Sequence, residues 1–533
     1  MNPAQVMNLG QLLAQTALLY PDRAALIQGE REWSWSQVDR DVDAMVAALR
    51  ELGVAPGDRI LVHSRNSVQM FESCWVAFRA GCVWVPTNFR LTPPEVAYLG
   101  ASSGAKVVIY EQGFEGHVDA IRAASPALQQ VICIGGAPRA GEHSYDDLVE
   151  RFRGRPRFEA TVRADDPLWF FYTSGTTGKP KAGILTHGQM SFVVTNHLAD
   201  LIPGTNADDR SIAVAPLSHG AGIHALLNVA RGAATVLLPT EKLDPETVWQ
   251  LVEKHRVSNL FTVPTIVKML VEHPSVDRYD HGSLRFVIYA GAPMYRTDQR
   301  LALQKLGPVL VQYFGLGEVT GCITVLPREM HSVRDDDPEA PVGTCGRPRT
   351  GMQVAILDDQ LRPVAADAIG EICVRGPAVF GGYHGNEEAT AKALRGGWFH
   401  TGDLGRMDAR GLLYITGRES DMYISGGSNV YPREVEEVLL THPGVAEVAV
   451  VGMPDPKWGE IGVAVIVRRE GCTPFDESAL LAHLEGRCAR YRWPRHVFFW
   501  DALPKSGYGK ITKKDVQRLL QERGEILVVA SSA

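Results

Sequence analysis

The 533-residue sequence lacks several features that would assign it to other classes of protein. None of its eight cysteines lies three positions from another, which argues against zinc ribbons and thiol redox motifs. No uninterrupted apolar run is long enough to span a bilayer, and the first ten residues carry no basic residue, which argues against a secretory signal. Scattered cysteines fit a reducing compartment, so we expect a cytoplasmic protein without a transmembrane segment.

The chain also lacks the excess of positive charge that is typical of nucleic-acid-binding surfaces. Its 54 lysines and arginines are outnumbered by 61 acidic residues, giving a net charge of −7, so we expect no nucleic-acid partner. Apolar residues make up 45% and charged residues 22%, as in ordinary soluble proteins. A chain of this length exceeds one compact core, which predicts two or more domains.

Hydrophobic periodicity predicts an α/β fold with at least two parts. Strand-length apolar runs alternate with helical patterns, such as a helix over residues 68–80, through most of the chain before residue 343. This alternation predicts parallel sheets with crossover helices, and hence a large domain of two α/β layers. From residue 343 to 417 the helical pattern fades, and short alternating runs predict a β-rich subdomain.

The pattern changes once more after residue 417. A helix predicted over residues 477–488 stands among short strand patterns, which is typical of a small α+β domain. We therefore predict a large domain over residues 1–417, a hinge over 418–421 and a small C-terminal domain over 422–533.

A Gly/Thr-rich stretch follows the strand-like run of residues 168–171. Residues 172–181 read Tyr-Thr-Ser-Gly-Thr-Thr-Gly-Lys-Pro-Lys. Glycines allow backbone N–H groups to approach an anion, while hydroxyls and lysines add donors and charge, so we predict a polyphosphate-binding loop. The candidate residues are Thr173, Ser174, Gly175, Thr176, Thr177, Gly178 and Lys181. The spacing of its glycines is not that of a Walker A loop, and an ordinary flexible Ser/Thr/Gly loop is the simpler alternative.

This stretch resembles the phosphate-binding signature of the adenylate-forming superfamily, which includes acyl-CoA synthetases, aryl-CoA ligases, luciferases and peptide-synthetase adenylation domains. Six further segments resemble the superfamily in the same order: 216–222, 291–293, 313–318, 398–403, 417–421 with the following glycine segment, and 504–510. The resemblance therefore covers essentially the whole chain.

The resemblance implies a role for each segment of the large domain. His219 would lie at the mouth of the acyl pocket, and Glu318 would hold Mg²⁺ against the phosphates. Asp403 would bind the ribose hydroxyls, with Arg418 on the ribose or phosphate. The segments implied to flank the adenine contain Gly291, Ala292, Pro293, Tyr313, Phe314 and Gly315. Taken singly, His219 in a turn, a solvated Glu318 or a surface ion pair of Asp403 or Arg418 would each have a structural explanation.

In the small domain, the resemblance implies that Gly426 and Gly427 line the pantetheine tunnel once this mobile domain has rotated. Lys510 would bridge the acyl carboxylate and the α-phosphate during adenylation. Two positions depart from the family pattern. Gly317 replaces a threonine whose hydroxyl can meet the α-phosphate, with Thr320 or a water as substitutes, and Ser420 stands at the pivot where Lys or Asp is more frequent.

The implied function is an acid–CoA ligase that uses ATP, Mg²⁺ and coenzyme A as cofactors or co-substrates. Adenylation for a carrier protein or another acceptor is the first alternative. A non-catalytic nucleotide-binding sensor is the second, which would not need Lys510. The acid, fatty or aromatic, stays open because Ala221 and Gly222 leave room for either, and the absence of a carboxylate in residues 218–223 disfavours an amino acid. A homodimer is left open as well.

Overall fold

The computed structural model describes residues 5–173, 179–292, 294–425, 427–505 and 511–526. Its strands, in chain order, are β1 (Gln5–Val6), β2 (Ala24–Gln28), β3 (Arg31–Ser34), β4 (Arg59–His63), β5 (Val83–Pro86), β6 (Val107–Glu111), β7 (Gln130–Ile134), β8 (His143–Ser144), β9 (Val162–Arg163), β10 (Pro167–Thr173), β11 (Lys181–Thr186), β12 (Arg210–Ala213), β13 (Ala234–Leu237), β14 (Asn259–Thr262), β15 (Phe286–Tyr289), β16 (Leu310–Phe314), β17 (Thr324–Leu326), β18 (Arg347–Pro348), β19 (Gln353–Leu357), β20 (Gly370–Arg375), β21 (Phe399–Met407), β22 (Leu413–Arg418), β23 (Tyr423–Ser425), β24 (Ser428–Val430), β25 (Val445–Asp455), β26 (Gly459–Arg468) and β27 (His496–Phe499).

The helices are α1 (Gln11–Leu19), α2 (Trp35–Glu51), α3 (Val68–Ala80), α4 (Pro93–Ser103), α5 (Glu115–Ala124), α6 (Tyr145–Phe152), α7 (His187–Asp200), α8 (Gly220–Val229), α9 (Pro245–His255), α10 (Pro264–Glu272), α11 (Arg296–Leu306), α12 (Glu387–Ala393), α13 (Pro432–Leu440), α14 (Glu477–Leu484) and α15 (Lys513–Glu522). Within the part of the chain that the structure describes, no helix is both long and apolar enough to cross a membrane.

The predicted alternation of strands and helices produces two large sheets. The first has the strand order β11-β10-β5-β4-β6-β7-β8. Its strands β4, β5 and β6 are almost entirely buried, as expected for parallel strands that helices cover on both faces. Strand β10 runs parallel to β5, whereas β11 returns antiparallel to β10. The carboxyl end of β10, where the predicted phosphate loop begins, therefore lies at the same sheet edge as the ends of its parallel neighbours.

The second sheet has the order β18-β17-β16-β15-β14-β12-β13-β2-β3. Its central strands from β16 to β2 are parallel, and antiparallel strands complete both edges. The chain passes from β12 to β13 on one side of β12, and it later enters β14 on the other side of β12. Such a reversal of strand order opens a crevice at the carboxyl ends, where ligands bind in α/β proteins. The segment from β12 to α8, with His219, lies at this point.

The remaining sheets confirm the predicted β-rich subdomain and the α+β character of the C-terminal part. Strands β19 to β22 form an antiparallel sheet in sequence order, into which the short helix α12 is inserted. In the C-terminal part, β24, β23, β26 and β25 are antiparallel, and β27 adds to β26 in parallel. Helices α13 and α14 pack on this sheet around a core of their own. The domain limits at residues 417 and 422 stay predictions.

The predicted helix boundaries hold where local signals mark both ends. Helix α3 occupies residues 68–80 as predicted, because the Ser67 hydroxyl accepts from the Met70 amide and Gly81 adopts a left-handed φ of +70°. The predicted helix over residues 477–488 is too long, since α14 ends at Leu484 and extended backbone follows at Glu485. Strand β11 had no counterpart in the sequence reading, because it forms only by pairing with β10.

Candidate active site

The carboxylate of Glu318 is held at the carboxyl end of the phosphate-loop strand. Its Oε1 accepts from Thr173 Oγ1 at 3.0 Å and from the Tyr383 hydroxyl at 2.9 Å. Glu318 is only 5% exposed. Burial, together with the adjacent Glu318 charge, raises the pKa of Tyr383, so the phenol stays protonated and keeps donating. Glu318 is thus a fixed negative charge beside the first residue of the predicted loop.

The structure gives a steric reason for the departure at Gly317. A Cβ atom placed on Gly317 would lie 2.6 Å from Phe171 Cδ1 and 2.9 Å from Thr173 Cγ2. The ring of Phe171 therefore occupies the space that a threonine side chain would need. Thr320, the suggested substitute donor, is buried with a left-handed φ of +48°, and its hydroxyl makes no hydrogen bond within the described residues.

The predicted phosphate loop is flanked by a cross-strand pair. Thr173 of β10 lies directly opposite Lys181 of β11. The Lys181 ammonium lies 5.1 Å from the centre of the Tyr383 ring. A hydroxyl and a carboxylate thus meet where the loop begins, and an ammonium lies beside the Tyr383 ring where the loop ends. The other loop candidates, Ser174, Gly175, Thr176, Thr177 and Gly178, lie outside the described residues.

The predicted acyl segment lies at the crevice of the second sheet. His219 directly precedes α8, and its ring centre is 4.3 Å from that of Phe171. Phe171 therefore contacts both the acyl segment and the segment that carries Glu318. Gly222 accepts no larger side chain, since a Cβ there would lie 2.0 Å from the Leu217 carbonyl oxygen and 3.2 Å from the Trp169 ring. Ala221 is buried as well. That Ala221 and Gly222 leave room for the acid stays a prediction.

The two predicted adenine segments follow neighbouring parallel strands. Gly291 and Ala292 follow β15, and Gly291 adopts a left-handed φ of +83°. Tyr313 and Phe314 end β16, which pairs with β15. Gly315 is required by a close approach, since a Cβ would lie 2.4 Å from the Cα of Gly321. These segments therefore share one sheet edge, while Pro293 lies outside the described residues.

Asp403 and Arg418 are paired with each other. They lie opposite one another on β21 and β22, and Arg418 Nε is 3.2 Å from Asp403 Oδ1. The Asp403 side chain is 8% exposed and that of Arg418 is 49% exposed. This arrangement leaves a partly accessible guanidinium beside a nearly buried carboxylate, at the edge of the β-rich subdomain.

The sequence reading missed a buried network that supports this strand. Glu371 Oε1 accepts from the Gly402 amide at 3.2 Å, and Glu371 Oε2 lies 2.6 Å from His400 Nδ1. Cys373 Sγ is 3.4 Å from the same nitrogen, so a cysteine, a histidine and a glutamate converge. The 2.6 Å separation is that of a hydrogen bond, and Arg395 also pairs with the carboxylate at 2.9 Å. The cluster is therefore a support for the strand of Asp403.

Two candidate residues of the C-terminal part, Gly427 and Ser420, are exposed. Gly427 adopts a φ of +81° in the turn between β23 and β24, and among the described residues no atom lies within 4 Å of a Cβ placed on it. The Ser420 hydroxyl contacts Asp421 Oδ1 at 3.3 Å just after β22. Gly426 and Lys510 lie outside the described residues. The flanking residues of the Lys510 segment, Lys505 and Ile511, form an antiparallel bridge.

Comparison with known proteins assigns the family. The model of the AMP-binding enzyme family matches residues 13–384, and that of the AMP-binding enzyme C-terminal domain matches residues 434–510. The chain belongs to the AMP-binding enzymes, in the acyl-CoA synthetase branch of the adenylate-forming superfamily. The matches span both parts of the chain, as the resemblance of the motifs implied.

Curated relatives and a solved structure match along nearly the whole chain. Indoleacetate–CoA ligase of Aromatoleum aromaticum is 34% identical over 518 residues, covering 97% of this chain and 99% of that protein. A long-chain-fatty-acid–CoA ligase of Mycobacterium tuberculosis is 34% identical over 511 residues, covering 95% and 97%. The structure of ATP-bound MatB from Rhodopseudomonas palustris superimposes with a TM-score of 0.86 at 28% identity, covering 97% of this chain and 100% of that chain.

Proposed function

We propose that this protein is an ATP-dependent carboxylic acid–CoA ligase. It would convert an acid and ATP into an acyl-adenylate and pyrophosphate, and then transfer the acyl group to the thiol of CoA with release of AMP. The observation that carries this proposal is the buried Glu318 carboxylate, fixed by Thr173 and Tyr383 at the start of the phosphate loop. The similarity to CoA ligases along the whole chain supports it.

Adenylation brings two anions together, and the described residues are suited to this task. The substrate carboxylate attacks the α-phosphorus, so negative charge increases on the phosphate oxygens. Lys181, beside Thr173, and the N–H and hydroxyl donors of the loop would offset this charge from fixed positions. We assign to Lys510 the bridge between the acyl carboxylate and the α-phosphate. His219 would lie at the entrance through which the acid reaches this point.

The residues at Glu318 fit a hard divalent cation. Both described hydrogen bonds to its carboxylate reach Oε1, so Oε2 is available as a ligand, and a carboxylate beside phosphate oxygens is the donor set that Mg²⁺ prefers. When bound, the ion would neutralise charge on the phosphates. The protein's own contribution is to hold the Glu318 carboxylate in place and to keep the Tyr383 hydroxyl protonated, so that it donates to Glu318.

The nucleoside and thiol parts of the proposal involve other elements. Asp403 would accept hydrogen bonds from the ribose hydroxyls, with Arg418 beside it. Gly291 and Ala292 after β15, and Phe314 and Gly315 at the end of β16, would enclose the adenine. For the second step, the small domain would rotate about residues 418–421 so that Gly426 and Gly427 line the path of pantetheine. All eight cysteines are unpaired, which supports our proposal of a cytoplasmic location.

The proposal is tested by measuring acid-dependent release of pyrophosphate and AMP with and without CoA. A ligase releases stoichiometric AMP only when acid and CoA are both present. Pyrophosphate release with transfer to a phosphopantetheinyl protein would favour the carrier-loading alternative, and nucleotide binding without pyrophosphate release would favour the sensor.

A matched pair of variants tests the role of Glu318. Glu318→Gln removes the charge without changing the shape, and we expect pyrophosphate release to fall about 100-fold and to need more Mg²⁺. Glu329→Gln is the control, because Glu329 is an exposed residue that pairs with neighbouring Arg328. Equal rates for both variants would contradict the assignment.

A further inference from the structure

The acyl segment runs against a wall formed by two aromatic rings. A Cβ placed on Gly220, the residue after His219, would lie 2.7 Å from Cε1 and Cζ of Phe261 and 3.6 Å from the Tyr313 hydroxyl. The two rings are stacked, with centres 5.7 Å apart and planes 13° apart. Each residue is only 8% exposed. Phe261 and Tyr313 therefore close the space beside the first turn of α8.

Neighbouring residues of the core fix both rings of this wall in position. Phe261 belongs to an apolar cluster that also contains Leu227 and Ile288. Tyr313 is fixed by Gly321, on which a Cβ would lie 2.3 Å from the Tyr313 ring. A ring packed on several sides can move only if its neighbours move too, since protein interiors are close-packed. The wall is thus part of the core.

Within the described residues, little space remains beside Phe261. A cavity of about 10 Å³ lies there, with a mainly apolar lining that includes Ile212 and Leu217, to which Ser211, Thr235 and His224 add polar groups. Such a volume accommodates at most one water molecule. The Thr235 hydroxyl has no hydrogen-bond partner within the described residues, and His224 is occupied with Asn259 at 2.7 Å. A cavity of this size has no room for an alkyl chain as long as the Phe261 ring keeps its position.

We infer that Phe261 sets the depth of the acid pocket, and that the substrate of this enzyme is a compact acid with a planar aromatic group and no long alkyl chain. The inference rests on the proposed function, because it concerns the acid of that same reaction. The Phe171 ring lies beside Gly317 and the His219 ring. The stacked rings of Phe261 and Tyr313 lie beside Gly220, the residue after His219. Aromatic rings favour edge and offset contacts with another ring, so this surrounding selects a planar acid.

Two complementary variants test the wall. Phe261→Ala opens the pocket toward the small cavity, so it should lower kcat/KM for cinnamate about tenfold and raise it for octanoate. Gly220→Ala should narrow the pocket instead, because its methyl group would press on the Phe261 ring, so the rate with cinnamate should fall while that with acetate persists. In the double variant the methyl group has room, so cinnamate activity should exceed that of Gly220→Ala alone.

A binding measurement separates this inference from the proposed function. Calorimetry with cinnamoyl-sulfamoyl-adenosine and palmitoyl-sulfamoyl-adenosine needs no turnover. We expect the wild type to bind the cinnamoyl compound at least about tenfold more tightly than the palmitoyl compound, which defines a ratio of the two affinities. Phe261→Ala should reduce that ratio, whereas Phe158→Ala, which removes a half-buried ring beneath Arg50, should leave it unchanged.

Equal or tighter binding of the palmitoyl compound by wild type would overturn the inference, and so would an unchanged ratio in Phe261→Ala. If Phe261→Ala does not fold, Phe261→Leu, which keeps more of the core volume, takes its place in the same comparison. Absence of AMP release with every acid, despite tight binding of the cinnamoyl compound, would instead contradict the proposed function and leave the pocket assignment supported.

Discussion

Glu318 and Gly427 lie in two regions that the fold builds in different ways. Glu318 is buried, and two hydroxyl donors fix its carboxylate beside β10. Gly427 stands in an exposed turn, with open space where a side chain would be. A preorganised, dry environment strengthens electrostatic stabilisation of a charged transition state, whereas a thin thiol arm needs only an open path. The comparison associates adenylation with the rigid region and thioester formation with the open one.

The sharpest test of this comparison separates the two half-reactions at Lys510. We expect Lys510→Ala to slow acyl-adenylate formation by about 1000-fold, because it removes a charge directed at that transition state. Given pre-made acyl-adenylate and CoA, the same variant should form the thioester at nearly the wild-type rate. Single-turnover assays of each half-reaction measure both. Lys505→Ala is the control, since Lys505 pairs with Glu447 on the surface. Equal slowing of both half-reactions would contradict the assignment of adenylation and thioester formation to different regions.

Gly317→Thr tests how rigid the adenylation region is. Although it restores the residue that is frequent in the family, we expect it to lower adenylation about 10- to 100-fold, because the new side chain would collide with Phe171 and displace Thr173 from Glu318. Adding Phe171→Leu should recover part of the loss, as measured by pyrophosphate release. A gain of activity in Gly317→Thr alone would show that the Phe171 ring moves aside at little cost in free energy.

Gly427→Leu tests the open region. We expect about a tenfold loss in thioester formation from pre-made acyl-adenylate, with adenylation spared, because the side chain would narrow the path of the thiol. The left-handed φ of +81° adds backbone strain to any such change. Gly471→Leu controls for that strain, since Gly471 has a φ of +70°, equally open surroundings and a place in the same domain. Equal losses in both variants would assign the effect to strain.

The smallest expected effect concerns the stability of the fold. It compares a buried carboxylate of the large domain, Glu72, with one of the small domain, Glu436. Burial raises the pKa of Glu72 to about 8, and its described partner is the Tyr145 hydroxyl at 3.0 Å. In the small domain, buried Glu436 instead pairs with Lys513 at 2.8 Å. Because the folded state holds the Glu72 proton more tightly, its stabilising contribution is complete below the ordinary pKa and is lost as pH rises toward 8.

We therefore expect the melting temperature to fall by a few degrees between pH 5 and pH 8, with a smaller fall in Glu72→Gln, which cannot ionise. Thermal unfolding at several pH values measures this, with the exposed Glu329→Gln as the control. A pH dependence that is identical in wild type and Glu72→Gln would exclude Glu72 as its source.

Local signals explain which parts of the fold could be predicted. The hydroxyl of Ser67 and the left-handed Gly81 mark both ends of α3, so its limits follow from nearby residues. Strand β11 could not be predicted in this way, because its partner β10 lies across the phosphate loop. The same holds for Glu371 and Tyr383: no motif marks them, and they become site residues only through contacts with Gly402 and Glu318.

The sequence by itself determined the family, the α/β class and the order of the functional segments, because a motif keeps its residue types and spacing before the chain folds. Only the tertiary structure decided which groups meet. Residues 171, 219 and 317 are far apart in the chain, yet the Phe171 ring fills the space beside Gly317, and its centre lies 4.3 Å from the centre of the His219 ring. Side-chain packing between distant strands sets the shape of a pocket, and no local pattern encodes that shape.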